Sequence, residues 1–174
     1  MRVWPIRIAT YTLGLWITFQ SAAAQELLTG RVIGIADGDT LTVLTGGARQ
    51  VVVRLAAIDA PEIGKGKGKS GQPFGTRSRQ ALSDLCFAQQ AHVELIDGQN
   101  THGRLVGFVR CAGTDANREM LRNGMAWVYP QFNRGPRRHD YVEAQAQARS
   151  ASVGLWASED AEEPWLWRKK SRAN

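Results

Sequence analysis

The sequence predicts an α+β domain, mainly β, in which five strands form a Greek-key barrel of the OB type and three helices pack around it. Two observations favour this fold. Five short segments rich in apolar and β-branched residues are separated by turn residues, and an amphipathic helix follows the third segment, with two more helices after the fifth. The chain has 174 residues, enough for one domain with a substantial core.

The first three predicted strands form a meander. Residues 28–35 and 41–44 are apolar segments joined by Asp37-Gly-Asp39, a turn whose central glycine supplies backbone freedom. Gly46-Gly47 then turns the chain into the third strand, residues 51–58. Short turns of this kind place consecutive strands side by side.

The rest of the barrel is expected to alternate with helices. Residues 76–87 carry apolar side chains at helical spacing and therefore form the first helix. Residues 93–96 and 104–111 are the fourth and fifth strands. Two further helices are predicted at residues 117–123 and 141–149. We found no internal repeat.

The first 24 residues are predicted to be a signal peptide. Arg2 and Arg7 form a positive n-region, residues 8–19 are uncharged and largely apolar, and residues 21–24 are small, as at a cleavage site. An uncleaved anchor is the alternative, although this apolar run is shorter than the roughly 20 residues that a membrane span needs. We expect an exported protein, periplasmic or secreted, with no membrane contact after cleavage.

The composition is that of a basic globular protein. Its 43% hydrophobic and 22% charged residues exclude a disordered chain. The formal net charge of +6 favours an anionic partner, and loss of the two signal-peptide arginines leaves about +4. The folded domain is expected to span residues 25–157. The tail, residues 158–174, is first acidic, then aromatic and basic, and either packs on the barrel or helps to bind a partner.

Cys86 and Cys111 are the only cysteines. In an exported protein they can form a disulfide, which would close a loop of about 25 residues. Two buried free thiols are the alternative. Neither cysteine has a His or Cys partner at the spacing of a zinc site.

Carboxylates and arginines gather near the end of the third strand. Asp39, Asp59 and Glu62 lie in turns or at strand ends, whereas Arg54 and Arg104 lie within or at the start of strands. Oxygen donors without His or Cys suit Ca²⁺ or Mg²⁺. Two arginines beside such a cation would pair bidentately with a phosphodiester, and a third carboxylate could activate a water. For any one of these residues alone, an ordinary surface charge is the alternative.

Six short motifs occur in an order that is typical of one enzyme family. They are Asp37-Gly-Asp-Thr40, Val53-Arg-Leu-Ala-Ala-Ile-Asp-Ala-Pro-Glu62, Pro73-Phe-Gly75, His102-Gly-Arg104, Asn123-Gly-Met-Ala-Trp-Val-Tyr129 and Gly154-Leu-Trp156. Each motif is weak alone. Together they resemble the staphylococcal (micrococcal) nuclease, or thermonuclease, family over residues 28 to 157.

The resemblance implies a five-stranded OB barrel with three helices and a Ca²⁺-dependent phosphodiesterase site. By this resemblance Asp39 and Asp59 would bind Ca²⁺ through their carboxylates and Ala60 through its backbone carbonyl, with Asp37 in the outer shell. Glu62 would be the general base or would orient the attacking water.

The resemblance also implies a substrate. Arg54 and Arg104 would grip the scissile phosphate and stabilise the charge of the five-coordinate state. Family members cut DNA and RNA and leave 5′-hydroxyl and 3′-phosphate ends. We expect a monomer that prefers single-stranded substrates.

Three segments leave the details of binding open. Where the family commonly has Tyr before the Gly-Arg pair, this chain has His102, which would stack or bind a phosphate more weakly, or is a solvated turn histidine. Tyr129 either flanks the site or is a core or edge aromatic. The Gly-Lys repeat at residues 64–69 is either a basic loop that contacts phosphate or a solvated linker.

Two classes of function remain. The first is an exported Ca²⁺-dependent nuclease. The second is a catalytically weak or inactive OB module that binds nucleic acid or protein. A degenerate member would be expected to lose Arg54, Glu62 or Arg104, and all three are present.

Overall fold

The computed structural model describes residues 27–64, 66, 70–101 and 103–173, and for residues 97–101 and 173 only the backbone is described. The predicted signal peptide, the lysines of the Gly-Lys repeat and His102 lie outside these residues. None of the helices in the described part is long and apolar enough to cross a bilayer.

The strands form a closed barrel, as predicted. The five main strands are β1 (Leu27–Asp37), β2 (Thr40–Thr45), β3 (Gln50–Leu55), β5 (Gln90–Thr101) and β6 (Arg104–Cys111). Three two-residue strands accompany them: β4 (Ile58–Asp59), β7 (Thr114–Asp115) and β8 (Trp127–Val128). Neighbouring main strands are antiparallel in the order β3-β2-β1-β5-β6, and parallel pairing of β3 with β6 closes the barrel. Closure removes the free sheet edges that a meander would otherwise leave.

The barrel interior is filled by small and branched apolar side chains. Alternate residues of each strand point inward, as the pleat requires. The fully buried members include Val32, Leu41, Val43, Val53, Val93 and Val109. This packing fixes the register of β2 against β3 and thereby the place of the polar residues at the strand ends.

Four α-helices pack around the barrel, the three that were predicted and one more in the tail. They are α1 (Gly75–Cys86), α2 (Ala116–Arg122), α3 (Arg138–Ser150) and α4 (Pro164–Ala173). The first three match the predicted helices. The fourth forms within the tail, where a proline at the first helical position suits a helix start and Trp165 faces the barrel domain.

The third strand ends at Leu55, three residues before the predicted end. Ala57 takes a left-handed backbone conformation, with φ of 61°, and this breaks the strand. The buried side chain of Asn117 stabilises the turn, because its Nδ2 donates to the carbonyl of Ala56 at 2.8 Å while its Oδ1 accepts from the amide of Val109 at 2.9 Å. The chain therefore resumes in β4 with a changed direction.

Cys86 at the end of α1 and Cys111 at the end of β6 form a disulfide. Both cysteines are buried. The loop that they close has a sequence separation of 25 residues, and a loop of this length stabilises the fold by about 3 kcal/mol in the chain-entropy model. The disulfide anchors α1 to the barrel.

Candidate active site

The Asp37-Gly-Asp39 turn places one buried carboxylate at the mouth of the barrel. Asp37 Oδ1 accepts a hydrogen bond from the backbone amide of Asp39 at 3.1 Å, and the hydroxyl of Thr40 donates to Asp39 Oδ1 at 2.8 Å. Gly38 lies against α1 so closely that a Cβ there would be 1.9 Å from Ser78 Oγ. The glycine therefore lets the turn pack under the helix, and Asp39 is only 3% exposed.

Arg54 joins this carboxylate to a second one. The register of β2 and β3 places Arg54 opposite Thr40, so its side chain lies beside the turn. Its Nη1 donates to Asp39 Oδ1 at 3.0 Å, and its Nη2 lies 2.8 Å from Asp39 Oδ2 and 2.7 Å from Asp59 Oδ1. The sequence prediction that these three residues converge is consistent with this geometry.

Asp59 reaches Arg54 because of the turn after β3. In β4 it pairs with Trp127 of β8, which holds its backbone, and its side chain is fully buried. The next amide, that of Ala60, donates to Asp39 Oδ2 at 3.3 Å. Two segments that are 20 residues apart in sequence thus present their carboxylates around one guanidinium.

The pKa values of two members of this cluster, Asp39 and Arg54, are shifted by burial and by the neighbouring charges. Burial raises the pKa of Asp39 well above its ordinary value, and the neighbouring Asp37 and Asp59 add to this, against the opposing effect of Arg54. For Arg54, burial lowers the pKa, but Asp39 and Asp59 outweigh it, and the net shift is upward. Arg54 is therefore a permanent cation in the site.

Glu62 is held by its backbone and leaves its side chain accessible. The side-chain oxygen of Gln72 accepts from the Glu62 amide at 3.2 Å, and the Gln72 amide donates to the Glu62 carbonyl at 2.8 Å. Gly75, the first residue of α1, lies so near that a Cβ would be 2.3 Å from the same carbonyl. These contacts fix the Glu62 loop on the helix start, and the Glu62 side chain is 26% exposed.

A cleft of about 400 Å³ opens above these residues. Arg104, at the start of β6, lies on its wall, with Nη1 3.5 Å from the Thr40 hydroxyl. The cleft is lined by four arginines, two acidic residues and two aromatic residues, together with apolar side chains. The charged and aromatic residues are Arg54, Arg104, Arg168, Arg172, Asp37, Glu62, Tyr129 and Phe132. Basic groups outnumber acidic ones, which suits a phosphodiester.

The sequence predictions missed two arginines in this cleft, Arg168 and Arg172 of α4, and Arg168 contacts the acidic cluster directly. Its Nη1 donates to Asp59 Oδ1 at 3.1 Å and to Glu62 Oε1 at 2.8 Å, and its Nη2 donates to Asp59 Oδ2 at 2.7 Å. Burial lowers the pKa of Arg168, but the hydrogen bond and charge of Asp59, followed by those of Glu62, raise it overall. The tail thus supplies a permanent positive charge to the acidic cluster.

Comparisons with known proteins identify a family for this chain. Residues 52–158 match the family described as staphylococcal nuclease homologue. A Haemophilus influenzae protein named as an uncharacterized endonuclease is 39% identical over 169 residues, which cover 97% of this chain and 88% of that protein. The micrococcal nuclease of Shigella flexneri is 39% identical over 153 residues, 82% of each chain. A probable staphylococcal-like nuclease of Oryza sativa, CAN2, is 32% identical over 142 residues, 82% of this chain and 34% of that protein.

The chain belongs to the staphylococcal nuclease family. The resemblance drawn from the six motifs is confirmed, and so is the OB barrel. At the level of the family, the chain is an enzyme that hydrolyses phosphodiester bonds. The family match spans residues 52–158, so it includes Arg54, Glu62 and Arg104 but leaves out the Asp37-Gly-Asp39 turn and α4.

The donor set of the cluster fits a hard divalent cation. In the part of the chain that the structure describes, no group of three or more His, Cys, Asp and Glu side chains is arranged to hold a metal ion. The expected donors are fewer: two buried carboxylates, Asp39 and Asp59, and the carbonyl of Ala60. Arg54 lies 2.8 Å from Asp39 Oδ2 and 2.7 Å from Asp59 Oδ1, so the two carboxylates are close together, and oxygen donors of this kind suit Ca²⁺ when water completes the shell.

Of the two residues that were predicted to contact a nucleotide, Tyr129 and His102, the structure describes only Tyr129. Tyr129 lines the cleft, and its ring stacks on Trp165 of α4 with 5.2 Å between centroids and 4° between planes. One face of Tyr129 is therefore covered by the tail. His102 lies outside the described residues, and its contact with a nucleotide stays a prediction.

Proposed function

We propose that this protein is an exported, Ca²⁺-dependent nuclease that cuts DNA and RNA in the cleft and leaves 5′-hydroxyl and 3′-phosphate ends. One observation supports the proposal most strongly. Two buried carboxylates converge on Arg54 at the floor of a cleft that also contains Glu62 and Arg104. This combination is suited to holding a cation and a phosphodiester next to each other.

Asp39, Asp59 and the carbonyl of Ala60 would hold the Ca²⁺. When bound, the cation would neutralise charge on the phosphodiester and make the phosphorus more electrophilic. Burial supports this role, because carboxylates that are withdrawn from bulk water bind a cation without competition from many solvent molecules.

Arg54 and Arg104 would bind the two non-bridging oxygens of the scissile phosphate. A guanidinium presents paired N–H donors at the spacing of phosphate oxygens. Their positive charge stabilises the extra negative charge of the five-coordinate state, in a site where part of the surrounding water is excluded. Pairing with Asp39 and Asp59 keeps Arg54 in place before the substrate arrives.

Glu62 would take a proton from the attacking water as the oxygen of that water bonds to phosphorus. The bond from phosphorus to the 5′ oxygen then breaks, and that oxygen leaves as an alcohol once it has taken a proton from solvent. The products are a 5′-hydroxyl and a 3′-phosphate. Glu62 is accessible enough to reach a water in the cleft.

Two further features of the structure bear on the export of the protein and on the kind of nucleic acid that it cuts. The disulfide between two buried cysteines suits an oxidising compartment and supports export. A cleft of about 400 Å³ has the size of a pocket for one small ligand, such as a nucleotide, which supports single-stranded DNA and RNA as the substrates.

One observation favours the alternative, a weak or inactive module that binds nucleic acid or protein. In the structure Arg168 is hydrogen-bonded to Glu62, so this carboxylate is paired with a cation rather than with a water. The two functions differ in whether cut products form.

We expect products of single-stranded DNA digestion to carry 5′-hydroxyl ends. A polynucleotide kinase with labelled ATP should then label these products directly, and prior treatment with phosphatase should not increase the label. Label that appears only after phosphatase treatment would show 5′-phosphate ends and would contradict the proposed bond cleavage. A folded protein that shifts the DNA in a gel without making products would support the binding module instead.

A further inference from the structure

The tail helix α4 places a positive charge where a cation is expected to bind. We propose that Arg168 is a resident counter-ion of Asp59 and Glu62 that a divalent cation must displace, so that docking of α4 and cation binding oppose each other. The inference rests on the proposed function, because it takes Asp59 as a cation ligand. It adds a residue, from outside the family match, that sets the cation affinity of the site.

The contacts of Arg168 use the same oxygens that a cation would need. Asp59 is fully buried, and both of its carboxylate oxygens bind Arg168, at 3.1 Å and 2.7 Å. Asp59 Oδ1 also binds Arg54 at 2.7 Å. A divalent ion at Asp59 would therefore lie beside the Arg168 guanidinium, and like charges at such short range in a partly buried site repel strongly.

Arg168 is held in the site by a docked helix. Trp165, one turn earlier in α4, stacks on Tyr129 and has an edge contact with Trp127. The side chain of Gln72 donates to the carbonyl of Glu162 at 2.6 Å, just before the helix begins. Since Gln72 also holds the Glu62 loop, the start of α4 and the predicted general base share one buried support.

Thermodynamic linkage means that the proposal can be tested by measuring either cation binding or the docking of α4. If docked Arg168 weakens cation binding, cation binding must weaken the docking of α4 by the same free energy. A different result is expected if the ion pair between Arg168 and Asp59 only stabilises the fold. Its removal would leave the buried Asp59 less well compensated and would destabilise the protein, without raising its affinity for a cation.

The first test is calorimetric titration of CaCl₂ into the purified protein at pH 8. We expect Arg168→Gln to bind Ca²⁺ about tenfold more tightly than the native protein, because a paired positive charge has been removed from Asp59. Lys169→Gln is the matched control. It removes the same charge from the next residue of α4, and Lys169 is exposed and forms no ion pair within the described residues.

Arg168→Lys provides a second variant in case the glutamine variant is poorly folded. It keeps the charge but loses the two-pronged contact with Asp59, so its Ca²⁺ affinity should lie between those of the native protein and Arg168→Gln. Hydrogen exchange gives a readout that does not depend on activity. Saturating Ca²⁺ should increase exchange in residues 164–173 of the native protein and should change it little in Arg168→Gln.

The outcomes separate this inference from the proposed function. Equal or weaker Ca²⁺ affinity in Arg168→Gln, with Ca²⁺ binding intact in the native protein, would overturn the inference alone. Absence of Ca²⁺ binding in every variant would overturn the proposed cation site and the inference with it. Tighter binding in Arg168→Gln and unchanged binding in Lys169→Gln would support the proposal.

Discussion

Replacing Glu62 with glutamine is expected to lower the turnover of single-stranded DNA by about 10²–10⁴-fold. Glutamine keeps the size and hydrogen-bonding capacity of the side chain but cannot take the proton of the attacking water. The fold should be unaffected, because the Glu62 loop is held through its backbone by Gln72. Turnover at saturating substrate and DNA affinity by gel shift would measure the two effects separately.

Two controls make this result specific. Glu143→Gln removes the same charge from an exposed position on α3 and should leave turnover unchanged. Lys67→Ala, in the Gly-Lys repeat, is expected to reduce only the salt dependence of binding, since one phosphate contact contributes little to rate. If Glu62→Gln retained most of the native turnover, Glu62 would not be the base.

Replacing Arg54 with glutamine is expected to damage both activity and stability. Arg54 compensates Asp39 and Asp59, whose side chains are 4% and 0% exposed. Loss of one partner of a buried ion pair typically destabilises by about 3–5 kcal/mol, because a charge remains buried without compensation. Since Arg168 still binds Asp59, we expect the lower end of this range, about 3 kcal/mol. Turnover should fall by about 10²–10³-fold when one phosphate-binding cation is lost.

The measurement is urea unfolding without added metal, together with DNA turnover. Arg110→Gln is the matched control, because Arg110 is an exposed arginine that bonds only the nearby carbonyl of Gly113 in the described structure. A native free energy of unfolding in Arg54→Gln would show that the carboxylates do not depend on Arg54. Native turnover would exclude Arg54 from phosphate binding.

The sequence was informative about the barrel and its acidic cluster. Alternation along β3 and the glycine turn before β2 are local features, so Asp39 and Arg54 could be expected at one end of the barrel. The six motifs then grouped Asp59 with them. The register of β2 and β3 brings Thr40 opposite Arg54, and this is the structural reason why Arg54 lies beside Asp39.

Contacts between residues far apart in sequence cannot be predicted from the local sequence pattern. The strand was expected to continue to Ile58, but the left-handed Ala57 and the side chain of Asn117 end it at Leu55. Asn117 lies 61 residues from the carbonyl that it binds, and a buried polar contact of that range leaves no periodic signal in the sequence. It redirects the chain so that Asp59 faces Arg54.

The fourth helix has a signal in the sequence. Trp165, Arg168 and Arg172 are spaced as neighbours on one helix face, and Pro164 suits the first position of a helix. That face meets the cleft, with Trp165 on Tyr129 and both arginines in its lining. An amphipathic pattern in a basic tail can indicate docking, but which surface receives the helix depends on the folded barrel.

The proposed nuclease cuts nucleic acid in the cleft with the help of Ca²⁺. The most direct measurement is digestion of single-stranded DNA by the protein from residue 25 onward, with Ca²⁺ or with a chelator. We expect cleavage with Ca²⁺, none with the chelator, and recovery when Ca²⁺ is added back in excess. Cleavage that continues in the chelator would contradict the cation dependence. A folded protein that binds DNA but cuts it under neither condition would contradict the nuclease itself.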